Sequence, residues 1–221
     1  MEATSVAFGS EVKTIGHAWR EFRAKRAPWV IALGIVLALA GRAVMGDVTW
    51  RDLVAAAFLL VVYPFGEWAI HVHLLHLKPF RMRGRRVELA TARSHRMHHE
   101  NPTRLDLINF AVPEALAILL LAVPLAASLA WVVLGFGAFV TAVLTGYVLV
   151  LVYEWTHFLI HTAYRPRSRY YRSIWRTHRL HHFKNEHYWH GITSTVADRV
   201  IGTFPDQADV PKSRTARTLG A

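Results

Sequence analysis

From Leu107 to His161 the chain carries only two charged side chains, Glu114 and Glu154. Such a run is too long to cross a bilayer once, and its apolar character suits lipid rather than water. The hydrocarbon core offers no water to backbone groups, so an unbroken apolar run satisfies them within a helix. "LGFG", Leu134 to Gly137, is the natural place for the run to double back, which makes two spans. Two shorter runs precede it. Trp29 to Met45 is interrupted only by Arg42, whose side chain is expected to snorkel to the interface, and Leu53 to His76 forms the other. The expected fold is all-α and integral to the membrane, with four transmembrane helices.

The charges suggest an orientation. The chain is 53% hydrophobic yet has a formal net charge of +11. Around Gly46, Arg42 and Arg51 balance Asp47 and Asp52, and the "LGFG" hairpin is uncharged. By contrast, Leu77 to Asp106 holds eight Lys or Arg against three acids, and the stretch from Arg165 onward holds eleven against four. The positive-inside rule then puts both termini and the central loop in the cytoplasm. This use of the basic residues leaves none to argue for nucleic acid, and no nucleic-acid-binding motif is visible. Residues 1–28 read as a basic N-terminal segment. Ile15, Trp19, Phe22 and Arg26 fall at helical spacing among Lys13, Arg20, Arg23 and Lys25, the pattern of an amphipathic helix on a membrane surface; a disordered basic tail is the other reading. An Ala- and Arg-rich composition points to a bacterial source, hence an inner-membrane location. Residues 206–221 read as a flexible C-terminal tail.

Ten of the fourteen histidines fall into four groups. They are His71 and His76; His95, His98 and His99; His157 and His161; and His178, His181 and His182. On the inferred topology all four lie at or just beyond one membrane face. Positions i, i+3 and i+4 share a helical face, so "SHRMHH" and "THRLHH" each make a stripe of imidazoles. His71 and His76 are five apart and diverge on an ideal helix. They serve different metals, or the helix unwinds there. His17 and His73 read as plain residues, and His187 and His190 have no assigned role.

Neutral imidazole is the commonest metal ligand. Ten are too many for one ion but suit two at about five each, a coordination number ordinary for Fe, Mn, Co or Ni and less natural for zinc. With no cysteine in the chain, thiolate ligands, thiol catalysis and disulfides are excluded. The expectation is a histidine-rich helical cap on the cytoplasmic side, holding a di-metal site. Two acids within the spans, Glu67 four residues before His71 and Glu154 three before His157, are placed to accept the outer N–H of a ligating ring. No catalytic residue beyond the ligands is evident.

The four boxes "HVHLLH", "HRMHH", "HFLIH" and "HRLHH" resemble those of the membrane fatty acid hydroxylase and sterol desaturase superfamily, in the same order. The resemblance runs from about Glu67 to Thr203 and includes the closing segment "HGITSTVADRVIGT", with Gly191, Thr193, Ser194, Asp198, Gly202 and Thr203. The three residues inside "HFLIH" are most similar to the fatty acid 2-hydroxylase branch. That resemblance implies a fatty acid hydroxylase-like membrane domain over 29–205, with two irons that use O2 to hydroxylate an acyl chain at its 2-position. Zinc is an expected alternative occupant in purified protein. No cytochrome b5 motif is present, so the expected electron donor is a separate redox protein of ferredoxin or cytochrome b5 type, and the expected substrate is a bilayer lipid. A sterol desaturase or oxidase, or a carotenoid hydroxylase, is the nearest alternative; a membrane metal transporter is a distant one. His190 stands where that branch usually has an aromatic residue.

Overall fold

The structure, a computed structural model, describes residues 7–220. Residues 1–6 of the N-terminal segment and Ala221 of the tail lie outside the described residues. The chain divides into two compact units, one formed by Arg20–Tyr63 and Phe110–Trp155, the other by the remaining described residues. Helices dominate, as the apolar runs require. Four stretches are long and apolar enough to cross a membrane: Ala27–Val44, Trp50–Leu75, Leu105–Leu134 and Phe136–Ile160.

In the first unit the burial pattern is that of a helix bundle in lipid. The helices concerned are α2 (Ala27–Val44), much of α3 (Trp50–Ile70), α5 (Val112–Ala117), α6 (Val123–Leu134) and most of α7 (Phe136–Ile160). Small side chains such as Ala55, Ala115, Ala127, Ala138 and Ala142 fill the core. Large ones such as Leu37, Val61, Leu120, Leu125 and Val132 are exposed. Without a hydrophobic drive between helices in lipid, close backbone approach supplies the packing. A side chain at Gly146 would meet Val123 at 2.5 Å. The doubling-back between α6 and α7 falls at Gly135, whose φ of +97° suits glycine.

Between α5 and α6 lies a π-helical turn, Ile118–Ala122, in which Val123 N–H bonds the Ile118 carbonyl. One residue on, Pro124 has no N–H to give the Leu119 carbonyl. The Tyr147 hydroxyl donates to that carbonyl instead, at 2.6 Å.

Arg42 does not snorkel. Its guanidinium is buried and bonds Asp52 (2.8 Å), Thr141 (3.0 Å) and the carbonyls of Gly46 (3.0 Å) and Asp47 (2.9 Å). Asp52 in turn accepts the Thr49 N–H and hydroxyl. With every polar group paired, the charge stays inside and fixes the turn between α2 and α3.

The second unit holds α4 (Ala90–Glu100), α8 (Arg169–Phe183) and α9 (Val196–Ile201). It also holds an antiparallel hairpin of β1 (Phe80–Met82) and β2 (Arg85–Val87). Its turn has positive φ at both Arg83 and Gly84, the form that matches strand twist. The N-terminal helix α1 (Ile15–Arg23) exposes Ile15 and Trp19. Within the tail read from sequence as flexible over 206–221, Ala216 and Leu219 are buried. Ser213 N–H bonds the Lys184 carbonyl and Arg217 bonds the His99 carbonyl, both anchors that sequence periodicity does not reveal.

Candidate metal centre

All ten singled-out histidines come together in the second unit. Their ring nitrogens form two groups of five: His71, His76, His95, His99 and His181 in one, and His98, His157, His161, His178 and His182 in the other. Within each group the nearest ring nitrogens all lie within 4.8 Å of one another. Nine of the ten are buried, and His76 is half-buried.

Local helix geometry explains the sorting. His95 and His99 are four apart on α4 and enter the first group; His178 and His182, four apart on α8, enter the second. Neighbours on a helix point about 100° apart, so His98 leaves its stripe for the second group and His181 leaves for the first. Each stripe therefore spans both groups. The rings of His99 and His182, one from each stripe and each group, lie 4.0 Å apart.

His71 and His76 meet because the helix changes form. A π-helical turn covers His71–Leu75, with His76 N–H bonding the His71 carbonyl at 3.1 Å. That i→i+5 bond stacks residues five apart, and the two rings lie 4.9 Å apart in the same group. Of the two readings the spacing allowed, the unwound helix is the one observed.

Backbone carbonyls orient the rings. Nδ1 of His71 lies 2.6 Å from the His190 carbonyl, that of His99 2.9 Å from Ala216 and that of His181 2.8 Å from Tyr188. A carbonyl only accepts, so each Nδ1 carries the proton and each Nε2 keeps its lone pair. His161 likewise bonds the Pro102 carbonyl. The N-terminal stretch is fitted against this strand of chain: a side chain at Gly9 would stand 2.0 Å from the His161 carbonyl oxygen.

Glu67 reaches the centre by a different route from the one expected. Its buried carboxylate accepts the N–H groups of Ile192 (2.6 Å) and Thr193 (3.0 Å) and the Thr193 hydroxyl. It thus holds the turn that carries the His190 carbonyl, not the His71 ring itself. Asp198 secures the same turn, accepting from His190 N–H (3.0 Å), Gly191 N–H (2.7 Å) and the Thr203 hydroxyl (2.6 Å). A Cβ at Gly191 would stand 1.9 Å from the Ser194 carbonyl oxygen, and Gly202 ends α9 with φ +90°. The closing segment is in this way a clamp on the histidine centre. Glu154 accepts the Phe110 N–H at 3.2 Å.

The His190 ring, to which the sequence assigned no role, is buried 5.1 Å from His181 and 5.5 Å from His71. His73 lies outside both groups, its ring 5.8 Å from Trp68.

The electrostatics suit neutral ligands. Burial, reinforced by neighbouring rings, holds His95, His98, His161, His178, His181 and His182 well below the usual imidazole range. Neutral rings in such a cluster need something to share. His178 Nε2 stands 3.1 Å from His161 Nε2 and 3.0 Å from His182 Nε2. His71 Nε2 stands 3.1 Å from His95 Nε2, and His181 Nε2 stands 3.2 Å from His76 Nε2. Both ring nitrogens of His98 are buried without a hydrogen-bond partner. Two nitrogens held at right angles, each about 2.1 Å from a cation, stand about 3.0 Å apart. The spacing and the all-imidazole donor set fit two metal ions.

The model of the fatty acid hydroxylase family matches residues 56–203. The dihydroceramide fatty acyl 2-hydroxylase FAH2 of Arabidopsis thaliana is 30% identical over 156 residues, covering 66% of this chain and 61% of the relative. The structure of full-length Scs7p, in which only the hydroxylase domain is visible, matches with a TM-score of 0.62 at 21% identity. That match covers 84% of this chain and 66% of the other. The chain thus spans about three fifths of its curated relative, and the Scs7p likeness bears on the fold.

Proposed function

This chain belongs to the fatty acid hydroxylase family, and from that premise we propose that it is a membrane oxygenase with two irons that hydroxylates a lipid acyl chain at its 2-position using O2. The observation that carries this reading is the sorting of ten imidazoles, nine of them buried, into two groups of five. The 2-hydroxylase relative supports the position on the chain.

Iron bound by the two groups would supply the activation of O2 needed to cleave an unactivated C–H bond. One oxygen atom enters the product and the other leaves as water, so two electrons and two protons must be delivered. The proposed donor of these electrons is a redox protein of ferredoxin or cytochrome b5 type. The residues of the chain bind and orient. Imidazoles kept neutral by burial present Nε2 lone pairs, and the carbonyls of His190, Ala216, Tyr188 and Pro102 fix their tautomers. Burial of nine rings keeps water from the reacting atoms. Glu154, close in sequence to His157, helps to orient that ring. The basic loop and C-terminal region face the cytoplasm, α1 lies on the membrane surface, and the substrate enters from the bilayer.

Mass spectrometry of lipids from cells expressing the protein under ¹⁸O₂ tests the reading. The expected result is a 2-hydroxylated acyl chain carrying one ¹⁸O, absent with His178→Ala. An unlabelled hydroxyl, or the same lipids with and without the protein, would contradict it.

A further inference from the structure

The face of α8 opposite its histidines has a chemistry of its own. His178, His181 and His182 turn toward the metal centre, while Arg169, Arg172, Arg176 and Arg179 fall on the other side by helical spacing. These four line a cavity of about 1090 Å³, joined by Arg165 from the connection after α7 and Arg199 from α9. Trp175, Trp189 and Phe204 contribute aromatic walls. The Arg179 guanidinium lies 4.9 Å over Trp175 and that of Arg199 lies 3.9 Å over Phe204.

Among the described residues, none of these six guanidinium groups forms an ion pair with a carboxylate. The one acid on the lining, Asp206, accepts the N–H of Ala208 in its own turn. Six cations around a concave space repel one another, and walls of low polarity strengthen that field. A multiply charged anion relieves the repulsion, and the guanidinium fork matches phosphate oxygens two at a time. A singly charged carboxylate would leave most of the charge unmatched. The cavity is near the size of small-molecule sites, roughly 300–1,000 Å³, and its recessed aromatic walls suit a small ligand better than a flat protein face. Along the chain, its first lining residue, Thr162, follows the fourth apolar stretch by two positions. Clusters of Lys and Arg just beyond the end of a span attract anionic head groups.

We propose that this cavity binds the phosphate group of an anionic ligand, separately from the metal centre. A phospholipid head group and a soluble phosphorylated compound share that chemistry. The inference does not depend on turnover.

Binding to the purified full-length protein in neutral detergent tests it, with dioctanoyl phosphatidic acid, dioctanoylglycerol and inorganic pyrophosphate as probes. Two double variants, Arg172→Gln with Arg176→Gln and Arg165→Gln with Arg169→Gln, are compared with the wild type. The expected result is phosphatidic acid binding weakened at least tenfold in each pair, dioctanoylglycerol binding at least tenfold weaker than phosphatidic acid, and metal content unchanged. Competition by pyrophosphate at similar concentration would identify a soluble ligand as the source; its failure to compete would identify a lipid head group. Phosphatidic acid binding unaffected by both pairs, or dioctanoylglycerol binding as tightly, would overturn the proposal. So would loss of binding to an acidic redox protein with phosphate binding intact. Failure of the hydroxylase reading would instead appear as unlabelled lipid product, with these affinities unaltered.

Discussion

His71 and His76 stand five positions apart in the chain, yet their rings lie 4.9 Å apart and join the same group of five imidazoles. The π-helical turn between them makes that possible. His71 is further fixed by the His190 carbonyl at 2.6 Å, on a turn held by Glu67.

That arrangement separates a backbone role from a ring role. Replacing His190 with Phe keeps the carbonyl that meets His71, so metal content should stay near the wild-type value. Glu67→Ala frees the turn and strands the buried N–H groups of Ile192 and Thr193, each at a cost of about 1–3 kcal/mol. It should lower thermal stability and deplete the group containing His71. Metal analysis and thermal unfolding of the two variants check this; equal metal loss in both would refute the carbonyl's role.

The Tyr147 hydroxyl satisfies a carbonyl that Pro124 leaves without a helical donor. Tyr147→Phe should therefore destabilise the protein by about 1–3 kcal/mol. The variant changes only the first unit, and metal content should be unaltered. Unchanged stability in denaturant titration would mean that the Leu119 carbonyl finds another donor.

The metal-free protein should be sensitive to acid. Burial, opposed by the Ala216 carbonyl, holds His99 at about 4 against an ordinary 6.5, and burial lowers six other rings in the same direction. Unfolded chains take up protons near pH 6.5 that the folded chain refuses. Stability is therefore fully present above pH 6.5 and is lost as pH falls from there through the depressed values. Denaturant midpoints of chelated protein between pH 7.5 and 5 should fall steadily. A flat profile would contradict neutral burial.

Much of this was legible in the sequence, and the failures share a cause. Apolar runs placed the four candidate spans to within a few residues, and the turn at Gly135 was visible in "LGFG". The ten histidines were visible as spaced groups. Their partition was not, because it depends on which neighbour faces each side of a helix, and on a π turn that no periodicity shows. Nor were the orienting groups, since sequence displays the carboxylates of Glu67 and Glu154 but hides the carbonyls of His190 and Ala216. Arg42 reads as an interfacial cation until Asp52 and Thr141 are seen beside it. The tail reads as loose because its anchors, Ala216 and Arg217 on His99, are single contacts without a pattern.

The central claim is that ten imidazoles form two metal sites of five ligands each, and counting metal per chain tests it most directly. Protein reconstituted with iron under anaerobic conditions should hold two ions in the wild type. It should hold no more than one when His161 and His182, both in the second group, are replaced by Ala. One ion or fewer in the wild type, or two retained in that variant, would contradict the account.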